Sequence, residues 1–161
     1  MYTRMNKALG KVVKLANSNG LEISTAKTVA MIFTHKKESS YKLPEHPLRI
    51  YRKPIALQKE VKYLGVTLDH KLSWEKHIED KVAKAKKLLF GLRSKIGQLW
   101  GPSSKMIIWA YKAMVRPILT YCALVWGANL KAKQIEALQG VQRLALMMTG
   151  YYRNGTPTAA I

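Results

Sequence analysis

Side chains that could carry out acid–base or metal chemistry are sparse in this 161-residue chain, which has nine carboxylates, four histidines and one cysteine. Two-metal phosphoryl chemistry needs carboxylates that converge on the ions. The adjacent pair Glu79-Asp80 falls in the first turns of a predicted helix, where the helix dipole accounts for it. His70 and His77 are expected at the surface, and the single Cys122 excludes an internal disulfide. The residues therefore predict no complete active site and no metal cofactor in this chain.

The charge balance is the strongest global signal. Lys and Arg total 28 against nine Asp and Glu, a formal net charge of +19. After Asp80 the one carboxylate is Glu136, whereas thirteen Lys and Arg residues follow. Such an excess is typical of proteins that bind polyanions, nucleic acid above all. Two alternatives remain open: a protein of anionic membrane surfaces, and a solvated basic surface on a fragment whose acidic part lies elsewhere.

Membrane insertion and export are not predicted. The most apolar region, residues 107–130, is interrupted by Lys112 and Arg116 and is not a membrane-spanning run. The N-terminal residues are basic and lack the apolar core of a signal peptide. We therefore expect an intracellular protein.

Between residues 60 and 96 the hydrophobic period changes from that of a strand to that of a helix. Residues 61–68 predict one strand, with Leu64, Val66 and Leu68 on one face. Ser73 is the predicted N-cap of a helix that runs to residue 96 on an apolar repeat of three and four. The predicted polar face of this helix carries Lys81, Lys84, Lys87 and Lys95. These lysines either follow a phosphate backbone or form a solvated basic face.

The segment before this stretch predicts a small antiparallel sheet with one helix. The helix covers residues 5–16 and is ended by Gly20, and strands are expected over 27–34, 48–51 and 55–57.

Beyond Trp74 the chain is predicted to be helical. We expect a helix over residues 106–114, buried on all sides and capped by Ser103 or Ser104, a break or kink at Pro117, and a last amphipathic helix over 135–148. The tryptophans of this part, Trp100, Trp109 and Trp126, are expected to pack between helices rather than to stack on bases.

The sequence thus predicts an α+β fold of two lobes: a small antiparallel sheet with an N-terminal helix over about 1–70, and an all-helical lobe over about 74–150. A polar tail, residues 151–161, follows.

Several blocks, in order, resemble the reverse transcriptases of non-LTR (LINE-type) retrotransposons. The first resembles the D block of that family and comprises Gly20-Leu21-Glu22-Ile23-Ser24, Lys27-Thr28 and the strand after them. The second is similar to the E block, the primer grip, and comprises Tyr63-Leu64-Gly65-Val66-Thr67-Leu68-Asp69, Leu72-Ser73-Trp74 and His77-Ile78. Blocks similar to the thumb are Tyr111-Lys112-Ala113, Arg116-Pro117-Ile118-Leu119-Thr120-Tyr121, Val125-Trp126-Gly127, Leu138-Gln139, Gln142-Arg143 and Thr149-Gly150-Tyr151-Tyr152-Arg153.

The resemblance implies the end of a polymerase palm followed by a thumb, and a role for each block. Lys27 would lie near the incoming nucleotide and donate a proton to the leaving pyrophosphate. Tyr63, Leu64 and Gly65 would belong to the hairpin that holds the primer terminus. The lysines of the basic helix would follow the phosphates of an RNA or DNA template–primer. Mg²⁺ is expected only for the intact polymerase, with the remaining palm and fingers as partners and a nuclear or cytoplasmic ribonucleoprotein as location.

The chain also departs from the family pattern. The catalytic aspartates of the family lie in blocks before the D block, and this sequence begins after them. We therefore expect a truncated reverse transcriptase fragment that binds template–primer without polymerising. The alternative is a relic or gene-model fragment without autonomous activity.

Overall fold

The computed structural model describes residues 2–35, 47–94 and 102–150 of the chain. The chain divides into two compact units, residues 1–72 and 73–161. The described part of the first unit contains one helix and six short strands and that of the second is helical, so the predicted α+β class is confirmed. No helix in the described part is both long and apolar enough to cross a membrane.

The first unit begins with helix α1, Tyr2–Ser18, which ends in a Schellman motif. Gly20 has a φ of 69°, its N–H donates to the carbonyl of Asn17, and the N–H of Leu21 donates to the carbonyl of Ala16. Because only glycine adopts this backbone conformation at no steric cost, Gly20 ends the helix as predicted.

Six strands follow α1 and pair into three short ladders. They are β1 Val29–Ala30, β2 Arg49–Ile50, β3 Lys53–Pro54, β4 Ala56–Leu57, β5 Glu60–Tyr63 and β6 Val66–Asp69. The β2–β3 and β5–β6 ladders are antiparallel, as predicted, whereas β1 and β4 pair in parallel. The strand predicted over 27–34 is thus reduced to two residues, because its partner β4 offers only two residues to pair with.

The core of the first unit lies between α1 and the strands around β2. Leu48, Ile50 and Ile55 are buried there, and Leu9 and Val13 of α1 pack against them. Two polar contacts hold α1 in place: the backbone N–H of Arg49 donates to Asn6 Oδ1 over 3.0 Å, and the Tyr51 hydroxyl donates to Asn17 Oδ1 over 2.8 Å.

The second unit is a helical assembly. Its elements are α2 Glu75–Arg93, α3 Ser104–Ala110, a π-helical turn Tyr111–Val115, α4 Arg116–Thr120, α5 Ala123–Trp126, a 3₁₀ turn Gly127–Asn129 and α6 Ala132–Met147. One buried cluster joins α2, the π turn, α4 and α6, and it consists of Ala85, Leu89, Val115, Leu119, Val141 and Ala145.

The break predicted at Pro117 takes the form of the π-helical turn. Proline has no N–H, so it cannot donate to the preceding turn. The chain widens just before it, where the N–H of Arg116 donates to the carbonyl of Tyr111, five residues back. The helical path therefore continues from residue 104 to residue 120.

The helix predicted as buried on all sides is buried on one side only. Ile107, Ala110 and Val115 face the core, whereas Met106 and Trp109 are exposed. Ser103 caps α3 as predicted, because its hydroxyl accepts from the N–H of Met106 over 3.4 Å. Trp126 is buried as expected and donates from Nε1 to the carbonyl of Tyr121 over 2.9 Å. Trp100 lies outside the described residues.

Candidate nucleic-acid interface

Two of the four predicted lysines lie on the outer face of α2. Lys84 and Lys87 are exposed, while Ala85 and Leu89 of the same helix are fully buried. Side chains three residues apart are neighbours on a helix surface. The two ammonium groups therefore project from one face of a helix whose other face is fixed in the core. Lys95 lies outside the described residues.

Lys81 does not lie on the exposed polar face that was predicted for it. It is half-buried, and its Nζ lies over the ring of Tyr121, 4.6 Å from the ring centroid. The reason is helical geometry: position 81 is four residues before buried Ala85, so it belongs to the ridge that faces the protein. A cation over an aromatic face is attracted by about 0.5–2 kcal/mol. This contact orders Lys81 against Tyr121 of the same unit instead of leaving it in solvent.

The start of α2 also differs from the prediction. The N-cap is Trp74, with a φ of 63° and no capping side chain, so the prediction for Ser73 is wrong. The carbonyl of Ser73 instead accepts from Gln134 Nε2 over 2.8 Å, which ties the start of α2 to α6. The positive φ turns the indole of Trp74 inward, where it is buried. Burial of this side chain against the core outweighs the preference for a serine cap.

The carboxylates near the start of α2 form local ion pairs. Asp80 Oδ1 lies 3.6 Å from Lys76 Nζ, and Glu75 pairs with Lys131 at the start of α6. Such exposed pairs contribute little to stability. Glu75 and Asp80 are thus paired near the N-terminus of α2, and the helix contains no Asp or Glu beyond Asp80, where Lys84 and Lys87 lie.

His77 was expected at the surface, and the structure buries it with 1% of its area exposed. Its ring centroid lies 6.5 Å from that of Trp74 and 5.7 Å from that of Trp126. Burial lowers the pKa of His77, the nearby Lys81 ammonium lowers it further, and Asp80 opposes both. His77 is therefore a core residue of the helical unit and holds the two tryptophans in place.

In the first unit, Tyr63, Leu64 and Gly65 form the tip of the β5–β6 hairpin. Leu64 and Gly65 have φ values of 46° and 81°, the pattern of a two-residue type I′ turn. The single strand predicted over 61–68 is therefore wrong: these two residues divide it, and Tyr63 pairs with Val66 across the turn. Tyr63 is 63% exposed and Leu64 73% exposed. The tip thus presents two large apolar side chains to solvent.

Leu64 holds its conformation at an energetic cost. A non-glycine residue in the left-handed region is disfavoured by about 1–2 kcal/mol, and the common residues at this turn position are Asn, Asp and Gly. Strained backbone of this kind concentrates at binding and catalytic sites. The hairpin tip is thereby marked as a candidate contact surface by geometry as well as by its sequence.

Lys27 lies in an exposed turn just before β1. The turn is closed by the Thr28 hydroxyl, which donates to the carbonyl of Ser24 over 2.7 Å. A cleft of about 380 Å³ adjoins this turn and is lined by Glu22, Ile23, Ser24, Thr25, Ala26, Tyr51 and Lys53. Lys27 itself is not part of the cleft lining, so its side chain is free to extend outward into solvent.

The residues in the described part of the chain do not fit a two-metal site. Among the residues that the structure describes, no group of three or more His, Cys, Asp or Glu side chains could hold a metal ion. Glu79 and Asp80 are neighbours on a helix, where consecutive side chains diverge by about 100°. We therefore derive no step through Mg²⁺ from these residues.

Comparison with known proteins identifies relatives. Over 146 residues the chain is 32% identical to the "Probable RNA-directed DNA polymerase from transposon X-element" of Drosophila melanogaster, which covers 83% of this chain and 14% of that protein. Over 145 residues it is 24% identical to the "Retrovirus-related Pol polyprotein from type-1 retrotransposable element R1 3" of Nasonia vitripennis, which covers 87% of this chain and 36% of that protein. No protein-family model matches the chain, and no solved structure matches it.

The chain spans well under half the length of either relative, 14% of one and 36% of the other. Both relatives come from retrotransposable elements, and each match covers more than four-fifths of this chain. The resemblance predicted from the sequence blocks is thereby confirmed, and the chain is related over most of its length to the reverse transcriptases of non-LTR (LINE-type) retrotransposons.

Proposed function

We propose that this chain binds the template–primer of a retrotransposon reverse transcriptase, with the exposed lysines of α2 in contact with phosphates. The observation that carries the proposal is the outer face of α2: Lys84 and Lys87 project from a helix anchored through fully buried Ala85 and Leu89. The sequence from residue 81 to residue 135 contains no Asp or Glu. A phosphate backbone at Lys84 and Lys87 is therefore attracted by a stretch of helix without carboxylates, and Asp80, one turn before Lys84, is paired with Lys76.

We further propose that the hairpin tip contacts the primer strand. Tyr63 and Leu64 are exposed, and Gly65 has no side chain to keep the turn away from a sugar–phosphate chain. Apolar side chains at such a tip pack against sugars and base edges, while phosphate contacts fix register.

For Lys27 we propose a role only in a complete polymerase. Its exposed ammonium would donate a proton to the leaving pyrophosphate, on which negative charge develops. The metal-binding carboxylates would come from polymerase segments outside these 161 residues, with the rest of the palm and the fingers as partners. The chain alone is then a binding protein, and purified with Mg²⁺ or Mn²⁺ it should not extend a primer above background. Extension would contradict this part of the proposal.

Binding itself is tested with the double variant Lys84→Ala/Lys87→Ala and a labelled blunt RNA–DNA duplex, by fluorescence anisotropy at about 50 mM salt. Removal of two phosphate contacts should raise Kd by about tenfold or more, because each contact releases a counterion. Lys14→Ala, an exposed lysine of α1, serves as the matched control and should change Kd by less than twofold. Equal losses in both variants would show a diffuse charge effect and contradict the proposed interface.

A further inference from the structure

Trp109 is the most exposed aromatic residue among those that the structure describes in the second unit. It lies in α3 with 67% of its area exposed, although packing against other helices was expected for it. Its neighbours Ile107 and Ala110 are buried in the core. The indole therefore faces outward from an anchored helix, and its exposure is a property of the fold and not of a loose segment.

Three cations flank this indole. Lys105, Lys112 and Arg116 are exposed and stand four residues before, three after and seven after Trp109. Residues three and four apart are neighbours on a helical surface, so Lys105 and Lys112 lie one turn to either side of the ring. Arg116 is exposed at the start of α4, directly after the π-helical turn. We call these four residues the Trp109 face.

The Trp109 face is held rigid from behind. The π-helical turn keeps the path from residue 104 to residue 120 helical despite Pro117, and Val115 and Leu119 anchor its inner side in the core. At the start of α3, the Ser104 hydroxyl donates to the carbonyl of Thr149 over 2.9 Å. An aromatic platform held in this way loses little conformational entropy when a ligand stacks on it.

From this arrangement we propose a second site: the Trp109 face binds single-stranded nucleic acid, with one base stacked on the Trp109 indole and flanking phosphates on Lys105, Lys112 and Arg116. Single-strand binding combines a cationic track with aromatic side chains on which unpaired bases stack. A duplex keeps its bases stacked on one another and cannot offer one to Trp109. The absence of Asp and Glu over 81–135 makes this surface complementary to a polyanion rather than to an ordinary protein surface of mixed charge.

This site is distinct from the α2 lysines, which would contact paired nucleic acid. A strand bound at the Trp109 face would be an unpaired part of the template or primer, read without sequence preference because every base has a π face. The stacking contact is independent of salt, whereas the contacts of the three cations are not. This difference separates the two contributions experimentally.

The test uses the whole 161-residue chain, a labelled oligo-dT of twelve nucleotides and a blunt twelve-base-pair duplex. Trp109→Ala should raise Kd for oligo-dT at least about fivefold, and Trp109→Leu, which keeps apolar surface without an aromatic ring, should do the same. Trp109→Phe should recover most of the affinity. Affinity for the duplex should change less than twofold in all three variants, whose folding is checked by thermal melts.

Salt titrations add a second readout. Trp109→Ala should leave the slope of log Kd against log salt for oligo-dT unchanged, and Lys112→Ala and Arg116→Ala should each reduce it by about 0.7. The proposal is overturned if Trp109→Leu binds oligo-dT like the wild type, or if Trp109→Ala weakens duplex and single strand equally. It is also overturned if sedimentation shows that Trp109→Ala abolishes self-association while nucleic-acid affinity stays constant. If Lys84→Ala/Lys87→Ala leaves duplex binding unchanged, the proposed function fails but the proposal for the Trp109 face does not.

Discussion

At the scale of single residues, His77 makes the stability of the helical unit dependent on pH. Burial between Trp74 and Trp126 and the charge of Lys81 lower its pKa in the folded state. Below its unfolded pKa of about 6.5, the unfolded chain therefore binds the proton more readily than the folded chain does. The contribution of neutral, buried His77 to the free energy of unfolding is fully present above the unfolded pKa. It is lost as pH falls from about 6.5 toward the lowered folded pKa.

We expect urea unfolding, followed by tryptophan fluorescence, to show a lower free energy of unfolding at pH 5 than at pH 7.5. His77→Gln should flatten this dependence while lowering stability at pH 7.5, since it disturbs the packing of two indoles. His70→Gln is the matched control, in the other unit, and should leave the slope unchanged. A wild-type stability that rises on acidification would contradict this assignment.

Leu64 gives a second prediction at this scale. Because its φ of 46° disfavours a branched side chain, Leu64→Asn should stabilise the first unit by about 1 kcal/mol. Leu64→Ala keeps a Cβ in the same strained backbone and should give no such gain, which makes it the control. The measurement is the urea midpoint at constant m-value. If the primer contacts this tip, Leu64→Asn should also weaken template–primer binding, so that stability and affinity change in opposite directions.

At the scale of elements, the sequence pattern of α2 predicts the helix correctly but not the exposure of each of its residues. The apolar repeat of three and four residues predicts this helix and α6, because both bury one face. The same repeat places four residues on one ridge of the helix at a spacing of four: His77, Lys81, Ala85 and Leu89. The spacing alone therefore predicts that positions 77 and 81 face the protein. Residue type predicts that a histidine and a lysine lie at the surface. In α2, position on the helix decides their burial instead.

Other elements were beyond prediction from single residues. Gly65 signals a turn, but Leu64 is not a residue that signals a positive φ, so one strand was predicted where a hairpin forms. Pro117 predicts a disturbance of the helix but does not indicate whether the helix ends or widens. The two-residue strands β1 and β4 depend on each other across a distant part of the chain, which local pattern does not encode.

Gly91 provides a test of α2 as an element. It lies on the exposed face, and a Cβ built at this position meets no other atom within 4 Å. Gly91→Ala should therefore raise the free energy of unfolding by up to about 1 kcal/mol through helix propensity alone. Gly150→Ala, at a φ of 78° after α6, should destabilise instead and is the control. Equal effects of the two substitutions in chemical denaturation would contradict the backbone assignment.

At the scale of the whole molecule, charge and packing have separate roles. Each unit has its own buried cluster, and a net charge of +19 is carried by the surface. A chain with real cores should lose far-UV circular dichroism cooperatively on heating, and non-cooperative loss would favour the relic without autonomous activity. Nucleic acid is the partner that we propose for this charge, and the relationship to retrotransposon polymerases supports the proposal.

We propose that the anchored lysines of α2 hold template–primer phosphates. The salt dependence of duplex binding tests this contact directly. Kd for a blunt RNA–DNA duplex should be measured between about 50 and 300 mM salt for the wild type, Lys84→Ala/Lys87→Ala and Lys14→Ala. We predict that log affinity falls linearly with log salt, and that the double variant alone has a shallower slope, by about 1.5–2. A wild-type affinity independent of salt, or an unchanged slope in the double variant, would contradict the account.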